Sequence, residues 1–130
     1  VDIDSGEPLQ QLSEVYRQGV CIPLDDSTEA MFRAWWTSST ANARVLPLGE
    51  SGFLHLWQSG VLSAINAACG LRIDEYEEEV LEPHQAERAI RAADAAMRGR
   101  AEGPTLELCN GLRSLLAEAH VIKRPVLFVL

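Results

Sequence analysis

No apolar run in this chain approaches the ~20 residues that a bilayer-crossing helix needs, and no basic stretch leading into an apolar one marks a secretory leader. A membrane role is therefore not expected. Cysteine is scarce: Cys21, Cys69 and Cys109 are odd in number and share no paired spacing. That argues against a disulfide framework and a zinc site, and predicts three small buried thiols in a reducing compartment, which points to the cytoplasm. His55, His84 and His120 are as scattered, and none has a zinc-binding partner three or four residues on. Glycines form no phosphate-cradling loop. "GESG" at 49–52 lacks the Lys and Ser/Thr that would follow, and around Ser51 its glycines miss the spacing of a nucleophile elbow. The chain opens at Val1 rather than Met, which reads as a fragment or as loss of the first residues.

Positive charge is also in short supply, and unevenly so. Residues 1–87 carry 15 acids against 4 bases, whereas residues 88–130 carry 4 acids against 7 bases, for a total of −8. Phosphates would be repelled by the longer, acidic portion, so nucleic acid is not an expected partner. A basic protein would be attracted. Solubility alone is the plainer use of such a charge.

What the sequence does contain is a regular supply of apolar side chains at helical spacing. Leu9, Leu12, Val15 and Tyr16 predict a helix over Pro8–Gln18, and Asp26 with Glu29 has capping-box spacing for a helix starting near Ser27. "GVCIPL" and "ARVLPLG" read as short strands, and Pro23 requires the first to be short or at an edge. Leu54, Trp57, Val61, Ile65 and Ala68 form one stripe over residues 52–70, as one helix or two pieces meeting near Gly60. Two more helices follow. The first covers 83–99, with Glu87–Arg91 and Asp94–Arg98 as i,i+4 pairs, and the second covers 103–120, weakened at Gly111. "PVLFVL" at the end reads as a strand covered on both faces. The sum is a mostly helical α+β fold in a single domain, 1–130, with about five helices, about three short strands and a loosely held segment at 1–7.

The most distinctive stretch is "IDEYEEEV" at 73–80, with five carboxylates in eight positions and a sixth at Glu82. Read as a helix, it places Ile73, Tyr76 and Val80 on one face and Glu75, Glu78, Glu79 and Glu82 on the other. Repulsion between like charges there costs only ~0.2–0.5 kcal/mol per i,i+4 pair. General acid–base catalysis would need two carboxyls in different environments facing a cleft, which neighbours on one solvated face do not supply. Nor does the run have the glycine and alternating ligands of a calcium loop. No catalytic, metal or cofactor residue is therefore named. The candidate partner-binding residues are Asp74, Glu75, Glu78, Glu79 and Glu82, with Trp36 as an aromatic anchor beside them. On a helix, Trp35 and Trp36 would point about 100° apart, so one belongs to the core and the other to the surface.

"INAACGLRIDEYEEEVLEP", followed by a helix and the closing "RPVLFVL", resembles small bacterial immunity proteins of contact-dependent inhibition and related polymorphic toxin systems. Asn66, Cys69, Ile73, Asp74, Tyr76 and Glu77–Glu79 carry the likeness. The resemblance implies a non-enzymatic inhibitor that binds one cognate toxin domain. A basic toxin would associate quickly with an acidic inhibitor through electrostatic steering. It equally allows Glu77–Glu79 to be structural, paired with Arg88 or Arg91. Two other classes stay open. One is a small-molecule or enzymatic site assembled from distant residues such as Glu79, His55, His84 and a cysteine. The other is a scaffold whose acidic face meets the basic segment 88–100 of another copy.

Overall fold

Four antiparallel strands form the centre of the molecule, in the order β4 (Ala43–Pro47), β2 (Gly19–Pro23), β6 (Val126–Val129), β5 (Glu78–Leu81). The computed structural model describes residues 9–99 and 102–130, so the segment expected to be loose, 1–7, lies outside the described part. Every residue of β2 and β6 is buried. This is why both read as unbroken apolar runs rather than as alternating ones: each has a neighbouring layer on both faces.

One layer is a set of helices, α3 (Gly49–Ser59), α4 (Val61–Cys69), α5 (Ala86–Met97) and α6 (Gly103–Ile122). Their Phe53, Leu56, Leu62, Ile65, Leu112 and Leu116 pack on Val20, Ile22, Phe128 and Val126 of the sheet. The opposite face carries Cys21, Leu127 and Val129, covered by Leu12 of α1 (Leu12–Val15) and Phe32 of α2 (Asp26–Arg33). Each fully buried Leu or Phe contributes about 1.5–3 kcal/mol. A second sheet holds two strands of two residues, β1 (Gln10–Gln11) and β3 (Trp36–Thr37). The fold is α+β as expected, with six α-helices and six strands among the described residues in place of about five and three.

Several expectations are corrected. The helix over 8–18 shrinks to the single turn of α1, because Gln10 and Gln11 pair with Thr37 and Trp36 and the Leu12 N–H donates to the Trp35 carbonyl. Strand β2 is short, at five residues, but it is central rather than at an edge. Pro23 is tolerated because β6 pairs only with Gly19–Cys21 and ends before it. The cap of α2 lies one residue earlier than expected: the Asp25 carboxylate accepts the Thr28 N–H at 2.8 Å. Of the two readings for residues 52–70, the two pieces are found, meeting where Gly60 takes φ +86°. Such a left-handed backbone favours glycine. Glu87 pairs with Arg91 as expected, but Asp94 reaches across to Arg113 of α6 at 2.6 Å instead of along its own helix to Arg98. Gly111 allows a close approach, since a Cβ there would lie 3.1 Å from Leu46 Cδ1 of β4.

Candidate functional site

The acidic run does not form a helix. Asn66 on α4 holds the chain first: its Oδ1 accepts the Ile73 N–H at 2.7 Å and its Nδ2 donates to the Ile73 carbonyl at 2.9 Å. This occupies both backbone groups of Ile73 as a neighbouring strand would, and buries its side chain. Asp74 then forms a turn, with its carbonyl accepting from the Glu77 N–H and its Oδ1 from the Glu75 N–H. Tyr76 sits in that turn at φ +64°, a left-handed backbone unusual for an aromatic residue, with 85% of its surface exposed. From Glu78 the chain is β5.

Strand geometry divides the acids that a helix would have aligned. Glu78 opposes Val129 and Glu79 opposes Phe128, so the two carboxylates leave opposite faces of the sheet. The Leu130 N–H donates to the Glu77 carbonyl, which makes residues 77, 79 and 81 the ones whose backbone faces β6. The N–H groups of Glu78 and Val80 therefore point to the outer edge. There the half-buried Glu79 carboxylate accepts the Val80 N–H at 3.1 Å and the Arg72 N–H at 2.9 Å. Glu79 ties the preceding loop to the strand and caps part of the open edge.

Glu82 has a different role. Its two oxygens accept from both terminal nitrogens of Arg33 at 2.8 and 3.0 Å. Those hydrogen bonds hold its carboxyl below the usual glutamate value, and the same contact raises the Arg33 guanidinium. Arg33 also binds Glu29, and Arg124 bridges Glu29 and Asp26. The resulting chain of five side chains fastens α2 to the turn after β5 and to the segment before β6. Glu82 is thus neutralised inside the molecule. By contrast, Asp74, Glu75, Glu77, Glu78 and Glu79 form no ion pair among the described residues. Arg91 is engaged with Glu87, not with Glu77–Glu79.

Of the expected site residues, Asp74 and Glu78 are exposed, and Glu75, Glu79 and Glu82 are half-buried. Trp36 is 44% exposed and belongs to the two-stranded sheet, whereas Trp35 turns into the second core cluster. The two tryptophans do divide between surface and core, but from beyond the end of α2 rather than from one helix.

Beside the acidic turn lies a cleft of about 390 Å³. Tyr76 and Glu78 line it from one side, and Ser13, Arg17 and Gln18 from α1 and the turn that follows. The buried Val129 and Leu130 give it an apolar floor. Sequence reading missed Arg17 and placed Tyr76 on one helical face with Ile73 and Val80. The available signal was the lack of any apolar neighbour for Tyr76 between residues 74 and 79.

The other candidate chemistries are distributed rather than gathered. His55 is half-buried with its Nδ1 3.2 Å from Thr105 Oγ1, and His84 lies near Glu87, Arg88 and Arg91 in a smaller cleft of about 160 Å³. The three cysteines are buried free thiols, and burial pushes that of Cys21 up to about 12. Among the described residues, no three His, Cys, Asp or Glu side chains are grouped to hold a metal ion, and no helix is long and apolar enough to cross a membrane. No protein-family model, curated protein or solved structure matches the chain.

Proposed function

We propose that this is a non-catalytic inhibitory binding protein, an immunity protein that neutralises a cognate bacterial toxin in the cytoplasm. It docks through the 74–79 segment onto a basic surface of that toxin. The observation that carries the reading is that Asp74, Glu75, Glu77, Glu78 and Glu79 fill five of the six positions 74–79 with no cation paired to them among the described residues. Like charges held together without a counter-charge raise the local negative potential, which draws in a cationic partner. The tethers at Asn66 and Glu79 keep the segment ordered before the partner arrives, which lowers the entropy lost on binding. Glu82 is not part of this surface, because Arg33 already satisfies it.

The test has two arms. The protein is used to capture its partner from the source cell, and the association rate is measured by stopped flow at rising salt. A rate that falls at least tenfold between low and physiological salt is expected, and a salt-indifferent rate contradicts docking through the acids. The captured protein is then expressed in a bacterial host. It is expected to arrest growth alone and to be harmless when this protein is co-expressed; a partner without toxicity contradicts the immunity role.

A further inference from the structure

We infer that the cleft between α1 and β5 seats an arginine or lysine side chain of the protein partner, presented by an extended segment with an apolar residue next to it. The inference rests on the partner-binding reading above and names the anchor of that interface. At about 390 Å³ the cleft falls within the ~300–1,000 Å³ typical of sites that hold small ligands. It has room for a long side chain with an apolar neighbour. Its floor, Val129 and Leu130, suits the apolar residue and the methylene stem of the cation.

The cationic head has two complementary groups. The Glu78 carboxylate makes no ion pair with a described residue and can accept a forked pair of hydrogen bonds from a guanidinium. Tyr76 offers a ring face for cation–π contact. Its left-handed backbone, set in the Asp74–Glu77 turn, holds it out in water at 85% exposure before anything binds. A tyrosine so placed, beside an apolar floor, has the character of an interface hot spot.

Arg17 lines the same cleft and would repel a cation by itself. Glu78 in the lining offsets that guanidinium, and Asp74, Glu75 and Glu77 of the adjoining turn add further negative charge, so the neighbourhood still attracts positive charge. Arg17, with Ser13 and Gln18, supplies donors for backbone carbonyls of the incoming segment. Donors on one side and an anion on the other also orient that segment.

The experiment titrates methyl-labelled protein with three capped dipeptides, acetyl-Leu-Arg-amide, acetyl-Leu-Gln-amide and acetyl-Leu-Glu-amide, and follows binding by NMR. The Arg probe should shift the Val129 and Leu130 methyls and bind at least tenfold more tightly than the Gln probe. Y76A and E78Q should each weaken it at least fivefold while resonances remote from the cleft keep their positions. Equal binding of the Gln or Glu probe overturns the proposal. So do methyl shifts that appear on concentrating the protein without a probe, which would place a second copy in the cleft. Arg-probe shifts confined to the amides of residues 74–79 overturn the cleft but leave acidic docking standing. Cleft shifts that persist unchanged in high salt leave the anchor standing and count against acidic docking.

Discussion

Glu78 and Glu82 are one helical turn apart in sequence and have opposite surroundings. Glu82 has both oxygens on Arg33, whereas Glu78 faces a cleft with no ion-pair partner among the described residues. The Glu82 contact is measurable through pH. Arg33 holds the Glu82 carboxyl below its ordinary value of 4.5. A depressed carboxyl stabilises the fold fully above its unfolded value, and that stability is lost as pH falls through the folded one. Glu82→Gln should therefore cost about 0.5–1 kcal/mol at neutral pH, the upper range for a well-formed surface pair in contact with water. The deficit should shrink below pH ~4.5 as the wild-type carboxyl is itself protonated. Urea midpoints of both proteins across pH 3–7 check this, and a constant deficit would contradict the Arg33 contact.

At the scale of elements, the parts governed by local pattern were legible and those governed by side-chain tethers were not. The α5 and α6 helices follow from apolar spacing with Pro at or before the first turn, and β6 from its continuous apolar run. The break at Gly60 was visible in the glycine itself. Residues 73–80 misled because Ile73, Tyr76 and Val80 fall at helical spacing, while nothing local announces that Asn66, seven residues upstream, takes both backbone groups of Ile73. That β2 is short yet central was hidden for a related reason: which strand lies beyond Pro23 depends on where β6 ends. The cleft was invisible for the same cause, since Arg17, Tyr76 and Leu130 meet only in the folded chain. The Asn66 tether gives its own prediction. Asn66→Ala should destabilise by about 1–3 kcal/mol, the effect of leaving partly buried backbone groups without partners. Amide exchange at Ile73 should speed up well before that in β6. Unchanged exchange at Ile73 would show that the turn holds itself.

Over the whole molecule, charge is arranged by use rather than spread evenly. The arginines at 33, 44, 113 and 124 each join two elements, through Glu82, Glu118, Asp94 and Asp26 respectively. Among the described residues, the acids from Asp74 to Glu79 join none by charge, and this unmatched block is where a cationic partner is expected to dock. The most direct test compares two variants in association with the captured partner at low salt: Asp74→Asn/Glu75→Gln/Glu77→Gln/Glu78→Gln, and Glu82→Gln. Association should be at least tenfold slower for the fourfold variant, with most of its salt dependence gone, and within twofold of wild type for Glu82→Gln. Equal rates for wild type and the fourfold variant, or slowing by Glu82→Gln alone, would contradict docking through the acids at 74–79.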